Sequence, residues 1–258
     1  MIGEKIKSIV IKVGSAVLTE QNRIAKERMQ NLVDLIVKLR VKYEVILVSS
    51  GAVSAGYTEL KLDKKIIANK QALASIGQPI LMHRYRKKFE LHNTVISQIL
   101  VTAANFEVKD QNTHIHDMID PLLKNSVLPI VNENDATATQ ELEVGDNDQL
   151  SAFTTELVDA DLLIILSDIN SYYDKDPNCH DDAKPIKHIS HIPQSELEKE
   201  STPNNSFATG GIVTKLKAAD YLLKRNKSMF LASGFDLTDV ENFLLNDIHS
   251  GGTLFTNL

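Results

Sequence analysis

Six short runs of apolar, mostly β-branched residues recur along the chain, at 8–13, 44–48, 94–101, 127–131, 162–166 and 228–232. Their apolar positions are continuous rather than alternating, as in strands buried on both faces. Between the runs the spacing becomes helical. Over 25–43, Met29, Leu32, Val33, Ile36 and Leu39 fall on one side of a 3.6-residue helix. Similar stripes predict helices over 68–76, 78–89, 116–125, 146–158, 211–225 and 236–245. Strands alternating with helices predict an α/β fold: a three-layer αβα sandwich around a mainly parallel sheet, with right-handed crossovers. In such sheets ligands bind beyond the carboxyl ends of the strands, so chemistry is expected just after each run. Residues 170–206, rich in Asp, Pro, Ser, Asn and His, read as long loops.

Composition narrows the function. The chain has 258 residues, 43% hydrophobic and 24% charged, enough for a sizeable core. Its formal charge is −6, with both signs interspersed, which argues against nucleic-acid binding. An anionic substrate must then be drawn in by local positive groups. The single cysteine, Cys179, excludes an internal disulfide and fits a reducing compartment. Asp176, Asp181 and Asp182 surround it, which raises a thiol pKa and argues against a nucleophile. The N-terminus runs straight into a strand, with no apolar segment of signal or membrane-span length, so a cytoplasmic, membrane-free protein is expected.

The residues after each strand are unusual for plain turns. Lys12 interrupts the first apolar run just before Gly14 and Ser15. A buried ammonium must meet an anion or lose its proton, whereas a lysine at a strand end can also snorkel to water; both readings stay open. Residues 49–56 form a small-residue loop opening a helix, suited to anions through its N–H groups. It is not a Walker loop, because Tyr57 stands where a lysine is needed, and the chain contains no GxGxxG. Asn132-Glu133-Asn134-Asp135 and Gly145-Asp146-Asn147-Asp148 bring amides and carboxylates together. Amides can hold an α-carboxylate and a carboxylate can hold an α-ammonium, so the two clusters suit a zwitterionic amino acid. Asp146 with Gln149 also reads as a helix cap. Ser167 and Asp168 follow the fifth strand, and Thr209-Gly210-Gly211 leads into Ile212, Val213, Thr214 and Lys215. Lys215 flanks the buried stripe of its helix, whereas Lys217 points away. A cation in a first helical turn opposes the macrodipole, so Lys215 is expected to meet an anion.

Other polar groups read as ordinary surface. His114 and His116, two apart near a helix start, suit a solvated turn better than a metal pair. Arg84, Arg86, Lys87 and Lys88 read as a solvated helix face, and Tyr172 and Tyr173 as packing beside a nucleotide.

Taken together and in order, these stretches resemble the amino-acid kinase family, particularly its members that act on the γ-carboxylate of free glutamate. Lys70-Gln71, Gly77-Gln78, Gln98, Leu100-Val101-Thr102, Asp174, Asp176-Pro177 and Ala218-Ala219 extend the match over nearly the whole chain. The resemblance implies one kinase domain over 1–258, with 1–160 on the amino-acid side and 161–258 on the nucleotide side. It implies a catalytic set of Lys12, Lys215 and Asp148, the lysines neutralising phosphates and Asp148 orienting them. Ser50, Asp135 and Asn147 would hold glutamate, with Gly51, Ala52 and Asn134 lining its pocket. Lys12, Gly14, Ser15, Ser167, Asp168, Thr209, Gly210, Gly211, Ile212, Val213, Thr214 and Lys215 would form the nucleotide side, with no protein-bound metal. ATP as co-substrate with Mg²⁺, proline as feedback inhibitor, a place in proline biosynthesis and a homodimer or homotetramer are implied in the same way. Two departures stand out. Ala208 replaces a usual glycine, and the chain stops at Leu258, like the form without a C-terminal PUA domain.

A carboxylate acceptor has a pKa of about 4.3 and is already ionised, so no general base is needed. The obstacle is repulsion: two unit charges about 3.5 Å apart cost roughly 5 kcal/mol at an effective dielectric of 20. Paired lysines and a nucleotide-bound Mg²⁺ answer that problem. Rival readings are sister kinases for acetylglutamate, aspartate, uridylate or carbamate, and a non-catalytic amino-acid sensor. The Ser50 loop carries no extra cation for a nucleotide acceptor, and an acylated amino group gains nothing from Asp135.

Overall fold

A computed structural model describes residues 6–102, 105–106, 109–137, 147–198 and 211–257. The chain runs through β1 (Ser8–Val13), α1 (Ser15–Leu18), β2 (Thr19–Glu20), β3 (Arg23–Ile24), α2 (Lys26–Leu39) and β4 (Glu44–Val48). It continues through α3 (Ala52–Tyr57), α4 (Ile67–Glu90), β5 (Ile96–Val101), α5 (Lys109–Lys124) and β6 (Leu128–Glu133). Then come α6 (Asn147–Leu157), β7 (Leu162–Ser167), β8 (His188–Ile189), α7 (Gln194–Leu197) and α8 (Gly211–Leu223). The last elements are β9 (Ser228–Ser233), α9 (Thr238–Leu245) and β10 (Thr253–Phe255). Eight strands form one sheet in the order β5-β6-β4-β1-β7-β9-β10-β8. Its pairings are parallel except β10 against β9.

Side chains alternate across a strand, so each continuous apolar run feeds two cores. Ile9, Ile11, Val45, Leu47, Leu162 and Ile164 belong to one, with Met29 and Ile36 of α2, Leu81 of α4 and Leu244 of α9. Val10, Ile46, Val131, Leu163 and Ile165 belong to the other, with Leu150 of α6 and Leu216 and Leu222 of α8. This is the expected helix–sheet–helix layering. Lys12 shares the parity of Val10, so it faces the layer that carries α6 and α8.

Two expectations are corrected. Residues 68–76 and 78–89 form one helix, α4, rather than two. Gly77 is not a stop but a contact: a Cβ there would lie 1.7 Å from the Ala52 carbonyl oxygen. At Gly56, facing it, a Cβ would lie 1.9 Å from the Leu73 carbonyl oxygen. Helices α3 and α4 therefore touch main chain to main chain. Helix α5 also starts earlier than expected, at Lys109. The β2–β3 hairpin was not foreseen; its turn residues, Gln21 and Asn22, both have positive φ. Within the long segment read as loops, β8 and α7 are short regular pieces.

Candidate active site

The carboxyl ends of β1, β4, β6 and β7 open on one side of the sheet, and the polar clusters gather there. At the end of β1, Lys12 is almost fully buried, with 4% of its surface exposed. Its Nζ lies 2.5 Å from Oδ1 of Asp148, a fully buried residue in the first turn of α6. The other oxygen, Oδ2, accepts hydrogen bonds from Lys215 Nζ at 3.1 Å and from the Thr214 hydroxyl at 3.0 Å. Lys215 is itself buried at 5% exposure and also donates to the Gly211 carbonyl at 2.8 Å. One carboxylate thus gathers two ammonium groups from opposite ends of the chain. The snorkelling alternative for Lys12 fails, while Lys217 is exposed as expected.

Beside this triad lies a cavity. It is lined by Ser15, Ser50, Gly51, Ala52, Val53, Ser54, Ile67, Lys70, Gln71, Asn132, Glu133, Asp135 and Asn147. Gly51 introduces α3 at φ 104°, a left-handed conformation that glycine adopts without strain. Asn147, next to Asp148, donates its Nδ2 to the Ser49 carbonyl at 2.9 Å and to the Ser50 hydroxyl at 2.7 Å. Asn132 Oδ1 lies 3.0 Å from the same nitrogen, so the two amide hydrogens are shared among three acceptors. The Ser49 hydroxyl pairs with the buried Tyr85 hydroxyl at 2.8 Å, and burial pushes the Tyr85 pKa well up. A smaller neighbouring hollow is shared by Ala52, Glu133, Asn134 and Asp135 with Gln78 and Gln98. The structure thus groups Ser50, Gly51, Ala52, Asp135 and Asn147 around one space, with Asn134 on its flank.

The described residues of the expected nucleotide side lie just after β1, around the end of β7 and in the first turns of α8. Gly14 donates its backbone N–H to the Leu166 carbonyl, tying the end of β1 to β7. Ser15 and Asp168 are exposed, whereas Ser167 is buried and donates its hydroxyl to Asp168 at 2.9 Å. Ile212 and Val213 bury their side chains in the core beside the sheet. Gly145, Asp146, Ala208, Thr209 and Gly210 lie outside the described residues, and with them the Asp146–Gln149 cap. Tyr172 is half-buried, its hydroxyl donating to Glu196; burial first, then the Glu196 charge, pushes its pKa up to about 12. The Cys179 thiol is raised by its hydrogen bond to Asp176 and that residue's charge, as the acidic surroundings suggested. Three roles were not assigned from the sequence. Lys70 and Gln71 line the cavity, Gln78 bonds to Asn132, and Thr214 holds Asp148. Their signal was present as stretches matching the family pattern, but nothing in the sequence brings a helix mid-point against a strand end.

Among the described residues, no group of three or more His, Cys, Asp or Glu side chains could hold a metal ion, and no helix is long and apolar enough to cross a membrane.

Comparison with known proteins fits this geometry. The sequence profile of the amino acid kinase family matches residues 7–233. A glutamate 5-kinase of Wolinella succinogenes is 49% identical over 97% of this chain and 98% of its own length. A glutamate 5-kinase of Leishmania donovani is 47% identical over 98% of this chain and 96% of its own. This chain belongs to the amino acid kinase family. Among solved structures, an isopentenyl phosphate kinase superposes with a TM-score of 0.66 at 16% identity, covering 96% of this chain and all of its own. Carbamate kinase from Giardia lamblia bound to AMP-PNP gives 0.64 at 15% identity, covering 98% and 99%. At such identities these two structures establish the fold alone.

Proposed function

We propose that the chain transfers the γ-phosphoryl group of ATP to the γ-carboxylate of L-glutamate, giving glutamate 5-phosphate for proline biosynthesis. The carrying observation is the single Asp148 carboxylate that holds Lys12 and Lys215 together beside a cavity of amides, hydroxyls and carboxylates. The full-length similarity to enzymes named glutamate 5-kinase supports the choice of acceptor. Residues 1–160 supply the amino-acid side, with Ser50, Asp135 and Asn147 around the acceptor. Residues 161–258 supply the nucleotide side, with Ser167, Asp168 and the stretch 209–215.

In this reading the acceptor oxygen attacks the γ-phosphorus as the bond to the ADP oxygen breaks, and ADP leaves with that electron pair. The acceptor is already anionic, so Asp148 takes no proton. Its two oxygens are committed to Lys12, Lys215 and Thr214, so it holds the cations in place. The ammonium groups offset the repulsion between the acceptor and the phosphate and stabilise charge on the transferring group. Such fixed groups need little reorganisation during the reaction. With Asp148 so engaged, Mg²⁺ fits as a partner of the ATP phosphates, entering with the nucleotide. Feedback by proline at the acceptor cavity and assembly as a homodimer or homotetramer complete the proposal.

Purified protein should turn over ATP in the presence of glutamate and form an acyl phosphate trapped by hydroxylamine as the hydroxamate. Aspartate and N-acetylglutamate should support little turnover. Equal rates without any amino acid, or a preference for N-acetylglutamate, would overturn the assignment. Proline added to the same assay should inhibit, and unchanged activity would remove the feedback element alone.

A further inference from the structure

The acceptor cavity is backed by a line of four amides. Asn147 Nδ2 donates to Asn132 Oδ1 at 3.0 Å, and Asn132 Nδ2 donates to Gln78 Oε1 at 2.9 Å. Gln78 Nε2 then donates to Gln98 Oε1 at 3.1 Å. The line crosses α6, β6, α4 and β5, from the cavity wall to the exposed face of an edge strand. Asn132 is 2% exposed and Gln78 8%, so both amides are buried and depend on protein partners.

The polarity of this line is fixed chemically. A backbone N–H can only donate, and Glu133 N–H donates to Asn132 Oδ1 at 2.9 Å. That oxygen must therefore point toward Asn147, and Asn132 Nδ2 must point toward Gln78. Gln78 then presents its oxygen inward and its amino group toward Gln98. At the other end the Ser49 carbonyl can only accept, which fixes Asn147 Nδ2 in the same sense. The consequence reaches the cavity. With Nδ2 occupied by protein acceptors, Asn147 is left its carbonyl oxygen for a ligand ammonium. The Ser50 oxygen accepts from Nδ2, so its hydroxyl hydrogen is left to donate to a ligand carboxylate.

We propose that Gln78, which lies outside the acceptor cavity, is a positioning residue for acceptor binding. By accepting from Asn132 it holds the amide line in the one polarity that matches an ammonium and a carboxylate. Gln98 anchors the outer end. The inference rests on the proposed amino-acid acceptor and adds residues to its site.

The test is steady-state kinetics with both substrates, starting from the wild-type protein. Wild-type failure to turn over glutamate would sink the proposed function, whereas the outcomes below concern Gln78 alone. Gln78→Leu removes both bonds at similar size. It should raise the glutamate KM about tenfold, the size of one lost hydrogen bond, and leave the ATP KM within about twofold. Gln98→Ala, at the surface, should raise the glutamate KM about two- to threefold and keeps the idea testable if Gln78→Leu does not fold. The decisive arm is a cycle with Asn132→Ala. If Gln78 acts through Asn132, adding Gln78→Leu to Asn132→Ala should change the glutamate KM by less than about twofold. Additive losses, equal rises in both KM values, or wild-type kinetics in both Gln78→Leu and Gln98→Ala would overturn it.

Discussion

Lys12 and Asp148 stand 136 positions apart in the chain and 2.5 Å apart in space. Both are buried, and burial makes such a pair a poor source of net stability, because desolvating two charges offsets most of their attraction. Breaking it is another matter. Asp148→Asn leaves Lys12 and Lys215 buried around a neutral amide, and should lower unfolding stability by about 3–5 kcal/mol. Urea denaturation measures this directly. A loss under about 1 kcal/mol would mean that the lysines reach water in the free protein.

Lys215 has a different signature. If it acts chiefly on charge that develops during transfer, Lys215→Ala lowers kcat by about 10²–10³ with a smaller change in glutamate KM. A rise in KM alone, with kcat intact, would assign it to ground-state binding instead.

Asp135 lines the acceptor cavity. Hydrogen bonds to charged groups contribute about 1.5–3 kcal/mol, so Asp135→Ala should raise the glutamate KM about 10- to 100-fold if it receives the α-ammonium. The penalty should be much smaller for a deaminated analogue such as glutarate. Equal penalties for both acceptors would place the ammonium elsewhere.

The helix pair beside the cavity makes a stability prediction. Gly77→Ala would set a methyl group 1.7 Å from a main-chain oxygen, which no rotamer relieves. It should cost about 3 kcal/mol or more, as severe overpacking does. Gly211→Ala, whose added Cβ meets no atom of the described residues within 4 Å, is the control and should remain within about 1 kcal/mol of wild type.

Tyr85 makes a prediction about alkali. Its folded pKa is raised by burial, only partly opposed by the Ser49 hydrogen bond. The folded chain therefore keeps this proton after the unfolded chain has released its own. The associated stability is fully present below pH about 10 and is lost as the pH climbs through the higher folded value. Tyr85→Phe should flatten that alkaline fall. At neutral pH it should cost about 1 kcal/mol through the Ser49 hydroxyl it leaves behind. Denaturation curves at about pH 8 and about pH 10.5, on either side of the ordinary tyrosine pKa, separate the two effects.

Much of this was readable in the chain, for definite reasons. The runs of β1 and β4 had their observed bounds, because parallel strands covered on both faces leave an unbroken apolar signature. Lys12 was visible as a charge with apolar residues on both sides inside such a run. The meeting of Lys12, Asp148 and Lys215 followed from resemblance; no local pattern joins residues so far apart. Gly77 read as a break because a helix-breaking residue and a packing contact look alike until the partner helix is placed. The hairpin turn at Gln21 and Asn22 carried no Asn-Gly or Asp-Gly signal. β10 is three residues long, too short for any periodicity.

The bare backbone contact between α3 and α4 also constrains engineering. At Gly56 and Gly77 main chain meets main chain, so the wall bearing Gly51, Ala52 and Gln71 has no side chain to shave at those two positions. Any redesign for bulkier acceptors must find its space away from that join, at a lining side chain such as Glu133 to which no acceptor contact is assigned.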